Sequence, residues 1–554
     1  MICRPLTSPD LLSPGFASRV FNADSTPGEQ KNVILVHAPV VKPCEPPAGI
    51  AKLCSFLGGW GIKCKIWDAN LEGLLGLLHA QEKAFSSSRG ASLDTWTRRA
   101  WRNLAFNLNA IKNWTTYHNW ARYKRAVEDL NRLLAQAAIS QNVRLSLANY
   151  QHPQLSPTRS VDLIQAAEKP EQNPFYPFLK ERLVQVLEEA ASPVIGFSLN
   201  YLSQALCTFA MIGFVRKHYK RVKIILGGGL VTSWMRKPNW LNPFAGLVDF
   251  LVAGPGEYPL LSFLDIPKAN SGNMHGRPCT PDYDFFPLDK YMAPGNILPY
   301  SSASGCYWNR CSFCPEKAEG NPYISIPVEE VISDLHVLSK KMNPMLIHFL
   351  DNALRPALME KIAGNPPEVP WYGFARITSH LLDPDFCRAL KNSGCVMLQL
   401  GLESGDQGVL DRLQKGINLE MASRALKNLA GAGIAPYIYL LFGTPAETIT
   451  EAQKTLDFIV KHGEQIRFLN LAIFNLPVYS QEAPELATER FYEADLSLYM
   501  NFFHPQGWNR NLVRQFLDKE FKRHPAIAPI LRRDPPFFTS NHAPFFAFSK
   551  SAKD

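Results

Sequence analysis

Short apolar runs alternate with longer stretches of helical period through most of the chain. Residues 33–40 (VILVHAPV) read as a buried strand, and a Pro-rich turn with Pro46, Pro47 and Gly49 leads into a helical stretch from Ile50 to Leu57. Gly61 ends that helix, and KCKIWDAN (63–70) reads as a second strand closing in a polar turn at Asp68 and Asn70. The right-handed crossover rule makes this βαβ opening a parallel pair. The pattern resumes at PVIGFSLN (193–200), a helix through Phe214, VKIILGGG (222–229) and VDFLVAGPGE (248–257). Five short strands with helices between them predict a doubly wound, Rossmann-like α/β domain. Its ligand turns lie at the strand ends, around Ser198 to Ser203, Gly227 to Ser233 and Gly254 to Glu257.

A second βα series begins at Asn296. Its strands are predicted at 297–304, 345–352, 371–377, 396–404, 436–443 and 468–475, with helical stretches that include 327–341, 384–392, 419–432 and 447–462. Six such units predict a partial (β/α)6 TIM-like barrel with functional groups where the strands end. The chain then divides into a leader (1–30), an α/β domain (31–265) with a helical insertion at about 75–190, a linker (266–295), the barrel (296–480) and a C-terminal extension (481–554). The extension is rich in Pro, Phe and Tyr without a clear period, and is expected to pack on the barrel.

Composition narrows the class. In 554 residues, 46% hydrophobic and 19% charged is an ordinary globular balance. The N-terminus has no basic-then-apolar leader and no run approaches the ~20 apolar residues of a span, so a cytoplasmic protein without membrane partners is expected. A formal charge of +9 at this length does not imply nucleic-acid binding. The insertion interleaves Trp96, Arg98, Arg99, Trp101, Arg102, Trp114, Trp120, Arg122, Lys124 and Arg125. That pattern suits either a grip on an anionic partner or a helical cap whose tryptophans pack inward.

Eleven scattered cysteines, an odd number, argue against a disulfide framework. Three of them, Cys306, Cys311 and Cys314, fall within nine residues in the loop after the first barrel strand. Thiolates are soft ligands for zinc or for an iron–sulfur cluster. No further Cys or His follows in the next twenty residues to close a structural zinc site, so a cluster with one open iron is favoured over a zinc knuckle or unligated thiols. Asp351, Arg376, Glu403 and the turn GTPAET from Gly443 end successive strands. Each also has a structural reading: Asp351 and Asp406 as helix caps, Arg376 as a rim ion pair, Glu403 as a hydrogen-bond acceptor.

The cysteine loop, with Phe313 before the last thiol, resembles the signature of the radical S-adenosylmethionine (SAM) enzymes, and residues 296–480 are similar to that superfamily's barrel. The usual spacing puts three residues between the first two cysteines, and this chain has four. The resemblance implies that Cys306, Cys311 and Cys314 hold a [4Fe–4S] cluster and that Phe313, Asp351, Arg376, Glu403 and Gly443 border SAM. Residues 46–70, 194–203, 225–233 and 248–257 resemble the cobalamin-binding domain of one branch of these enzymes. That implies a corrin near Pro47, Ser198, Gly227, Gly228, Gly229, Thr232, Gly254 and Glu257. The Asp-x-His-x-x-Gly motif that supplies an axial histidine elsewhere is absent, and His37 sits in LVHAPV as a strand-end residue. The implied activity is a cobalamin-dependent methyltransferase acting on an unactivated carbon of a small molecule or peptide, reduced by a flavodoxin or ferredoxin. A radical rearrangement or cyclisation enzyme, or a cluster- or corrin-bearing sensor, are the alternatives.

Overall fold

The structure, a computed structural model, describes residues 32–87, 94–190, 194–237, 240–266, 279–481, 483–489, 494–536 and 542–547. The leader expected at 1–30 lies outside them, as do parts of the linker and the C-terminal extension.

The first sheet contains β1 (Asn32–His37), followed by α1 (Ala48–Gly59), β2 (Lys63–Asp68) and α2 (Ala69–Ser87). Asp68 and Asn70 start a helix in place of the expected turn. The Asp68 carboxylate accepts from the Leu71 amide at 2.9 Å, and the Asn70 amide bridges both backbone groups of Val41 at 2.8 and 2.9 Å. The insertion supplies α3 (Thr95–Arg102), α4 (Leu104–Ile111), α5 (Trp114–Tyr117), α6 (Trp120–Ala137), α7 (Ser160–Glu168) and α8 (Tyr176–Ala190). It packs as a helical cap: Trp101, Tyr123 and Leu130 share one apolar core with Ile34 and Val36 of β1. Trp96 and Trp114 stand out from that core, 58% and 46% exposed.

The domain resumes with β3 (Val194–Ser198), α9 (Leu202–His218), β4 (Lys223–Gly227), α10 (Gly229–Met235), β5 (Phe250–Leu251) and α11 (Glu257–Phe263). The order is β2-β1-β3-β4-β5, parallel throughout, with β1 and β3 buried on both faces.

The second sheet is also wholly parallel. It is built from β6 (Ile297–Tyr300), α12 (Val328–Met342), β7 (Leu346–Leu354), α13 (Pro356–Gly364), β8 (Trp371–Ala375), α14 (Pro384–Asn392), β9 (Cys395–Glu403), α15 (Gln407–Arg412), α16 (Leu419–Gly431), β10 (Ala435–Phe442), α17 (Ile449–Lys461) and β11 (Phe468–Ile473), with strands in sequential order. Side chains alternate between faces. Leu398, Leu400, Ile438 and Leu440 meet the helices in a closed core. The opposite, concave face stays open toward the strand ends, where Leu350 is 40% exposed and Phe374, Tyr439 and Leu441 are half-buried.

The other end of that concave face is plugged by the C-terminal extension. The His542 ring lies 4.6 Å from Tyr437 and 4.5 Å from Phe468, and Phe545 lies 5.1 Å from both Tyr117 and Tyr123 of the insertion. No helix among the described residues is long and apolar enough to cross a membrane.

Candidate active site

The cysteine loop follows β6 and is folded back by a two-residue hairpin, Ala303–Ser304 against Ile324–Ser325. Gly305 takes φ +73°, and a Cβ there would overlap Pro322 O, so the turn requires glycine. The base of the loop is pinned by Asp351, which accepts from the Ser302 amide at 3.0 Å and the Ser302 hydroxyl at 2.5 Å. That carboxylate is therefore engaged by the loop rather than presented to the concave face.

Cys311 is buried, and Cys306 and Cys314 are half-buried. The loop docks on the segment after α15: the Ser312 amide donates to Leu413 O at 3.0 Å and the Trp308 indole to Gln414 O at 3.1 Å. Gly416, at φ +68°, lies against the Trp308 ring with no room for a Cβ. The Arg376 guanidinium lies 4.2 Å from the centre of the Trp308 ring, donates to Lys415 O, and comes within 3.8 Å of Cys311 Sγ. Lys415 Nζ pairs with Glu403 at 2.7 Å and lies 5.6 Å from the Phe313 ring centre. The fold thus brings Cys311, Phe313, Arg376 and Glu403 together, and adds Trp308, Lys415 and Gly416, which sequence reasoning missed. An arginine over tryptophan and a buried lysine paired with a glutamate become visible only when distant segments meet.

Burial pushes the Cys314 thiol up to about 11, with Cys311 and Cys306 adding to the shift. Cys311 is also raised by burial, against the pull of Lys415 and Arg376. These thiols would lose their protons on binding metal. Among the described residues no three His, Cys, Asp or Glu side chains converge on a point that could hold one ion.

Further round the rim, Gly443 takes φ +78°, and its amide donates to the buried Glu447 carboxylate, which also accepts from the Trp508 indole at 3.1 Å. Burial lifts Glu447 from 4.5 to about 7. The folded chain then holds a proton that the unfolded chain has released. Stability is expected to fall as pH rises from 4.5 to about 7, by about 3 kcal/mol in total. Glu447→Gln should flatten that slope in urea titrations at pH 5 and pH 8; an unchanged slope would assign it to other groups. Asp406 caps α15 by accepting from the Val409 amide at 2.9 Å and pairs with Lys454 at 2.8 Å.

In the first domain the turns interlock at the strand ends. Asn200 accepts from the Gly229 amide at 2.9 Å and donates to Ser198 Oγ at 3.0 Å. Gly228, at φ +111°, leaves no room for a Cβ beside Leu199 O. Thr232 donates to Gly228 O and accepts from the Gly254 amide, both at 2.9 Å. Ser198, Gly227, Gly228, Thr232 and Gly254 are thus gathered around a surface left open at Gly254, where a Cβ would meet nothing within 4 Å. Pro47 precedes α1, and Glu257 is engaged by Lys52 of α1 at 3.0 Å. His37 is buried beside Asp68 with Nδ1 unpartnered, and burial pushes its pKa down. The helix that follows the Gly228 turn meets the barrel domain: Tyr479 donates to Ser233 O at 3.0 Å and Arg236 to Asn321 at 3.3 Å.

Residues 300–459 match the radical SAM superfamily. The chain carries a radical SAM domain. It is 28% identical over 315 residues, half of its length, to an uncharacterized methyltransferase of Pyrococcus horikoshii, covering 66% of that protein. It is 24% identical over 204 residues, 36% of its length, to bacteriochlorophyllide d C-12(1)-methyltransferase of Chlorobaculum tepidum, covering 42% of it. The matched stretch therefore spans less than two thirds of each relative. The fold as a whole is like that of the radical S-adenosylmethionine methyltransferase TsrM from Kitasatospora setae, solved with cobalamin and a [4Fe–4S] cluster bound. The TM-score is 0.50 at 14% identity, over 83% of this chain and 78% of that one. In this radical SAM domain the cysteine loop, Arg376 and Glu403 lie within the matched residues, and the turns around Gly228 lie outside them.

Proposed function

We propose that this radical SAM enzyme is a cobalamin-dependent methyltransferase acting on an unactivated carbon. The carrying observation is that the segment after the thiol loop meets the helix that follows the glycine turn of the first domain, where Arg236 donates to Asn321 at 3.3 Å. When bound, the [4Fe–4S] cluster supplies the electron that cleaves SAM, and cobalamin carries the methyl group. Cys306, Cys311 and Cys314 are the residues that would hold the cluster. Arg376 and Lys415 would offset negative charge on the thiolates, and both pull the Cys311 thiol down against the effect of its burial. Arg376 and Glu403 offer a cation and a carboxylate for the SAM carboxylate and amino groups. The open surface at Gly229 and Gly254 lets a corrin approach the backbone closely. The substrate, a small molecule or peptide, would lie between the two domains, and a flavodoxin or ferredoxin would reduce the cluster. The methyltransferase names of the two sequence relatives support this reading.

The test is a turnover measurement with SAM deuterated in its methyl group. S-adenosylhomocysteine and 5′-deoxyadenosine are expected in equal yield with a labelled product, one SAM used for the radical and one for the methyl. Unlabelled product, with no S-adenosylhomocysteine in step, would establish rearrangement or cyclisation instead.

A further inference from the structure

We propose that His348 and Glu45 form the substrate anchor of this enzyme, and that they take a planar aromatic substrate that donates an N–H or O–H to His348 Nε2. The inference rests on the reading of the concave face as the reaction chamber and names the substrate class for it.

His348 stands on the inner face of β7, and its Nδ1 lies 2.8 and 3.0 Å from the two oxygens of Glu45, which belongs to the loop after β1 in the other domain. The two side chains are 13% and 15% exposed, so the pair is largely withdrawn from water yet open on one side. The carboxylate selects the tautomer with its proton on Nδ1, in which Nε2 is an acceptor. Tyr372 stacks on the imidazole at 4.5 Å and 6°, which stops the ring from turning. Nε2 has no partner among the described residues.

A second polar atom in the same chamber also lacks a partner. Gln399 is 4% exposed; one end of its amide meets the Tyr439 hydroxyl at 2.9 Å, and the other end has no hydrogen bond. A buried polar atom left this way costs free energy that a bound ligand can recover. The remaining walls are rings: Phe374 lies 5.0 Å from Tyr439. Flat aromatic walls select a flat ring by offset or edge-to-face contact. An acceptor held rigidly among them selects a ring with a donor.

Calorimetric titration of the reconstituted full-length protein with SAM present provides the test. The probes are indole and phenol, with 1-methylindole and anisole as the same rings without a donor. Indole and phenol are expected to bind about fivefold or more tighter than their methylated counterparts, a difference of one hydrogen bond. His348→Ala should abolish that preference, and so should Glu45→Gln, which keeps the shape of the side chain and frees the ring to change tautomer. Near-UV circular dichroism checks that both variants are folded. Absence of aromatic binding, or a donor preference that survives in folded His348→Ala, would overturn the assignment. SAM cleavage measured on the same wild-type preparation separates the two readings. Intact cleavage without ring preference removes only the anchor, whereas absent cleavage removes the proposed function.

Discussion

Cys311→Ala should abolish both the iron–sulfur absorption and the reductive cleavage of SAM, because this thiol is the buried centre of the loop. It is the cysteine that Arg376 approaches and on which Lys415 acts. A cluster held by three protein thiolates has no spare ligand, so Cys306→Ala and Cys314→Ala should behave alike. Iron and sulfide are to be quantified after anaerobic reconstitution, and 5′-deoxyadenosine after addition of SAM and dithionite. Full loss of cleavage, a reduction of at least about 10³-fold, is expected, since the chemistry resides in the bound cofactor and not in the remaining side chains. Stoichiometric zinc without iron in the parent protein would sink the assignment. Retention of cleavage in Cys311→Ala would remove Cys311 from the ligand set.

Gly229→Trp should empty the first domain of corrin while leaving it folded. The position was chosen over its neighbour for a physical reason. A side chain at Gly228 would collide with Leu199 O and carry a strained φ of +111°, so its loss of corrin could reflect a broken turn. At Gly229 an added Cβ would have only Asn200 Oδ1 nearby, at 3.7 Å, so a large ring would project into the open space over the strand ends. Protein from cobalamin-replete cells is expected to carry corrin near one per chain in the parent and less than about a tenth of that in the variant, as a lost close approach demands. Far-UV circular dichroism and cluster content serve as controls. Corrin retained in the variant would place the cofactor elsewhere, and corrin absent from the parent would remove the main support for methyl transfer.

The strands of both sheets were legible because their apolar runs are short and bounded by Gly, Pro and Asn, and because parallel strands buried on both faces cannot disguise their hydrophobicity. The six barrel strands follow one another in space as they do along the chain, so local pattern was sufficient. Cys306, Cys311 and Cys314 were legible for a related reason: a ligand set carried on nine consecutive residues needs no tertiary information to be recognised.

What the tertiary structure decided is where each polar residue points and which distant residue it meets. Arg376 and Glu403 stand at strand ends and reach the thiol loop, whereas Asp351 lies inside β7 on the other parity and is consumed by Ser302. The start of a helix at Ala69, where a turn was expected, depended on Asn70 finding Val41 across the fold. The last described part of the C-terminal extension shows no period because its order comes from separate aromatic contacts, His542 with Tyr437 and Phe545 with Tyr123, made to elements far away in sequence. The meeting of Glu45 and His348 spans 303 residues and two domains. Sequence by itself determined the elements and the metal-binding chemistry, since both are properties of neighbouring residues. The composition of the chamber depends on long-range packing, where a hydrogen bond or an ion pair is set by the distance between groups that the chain does not place side by side.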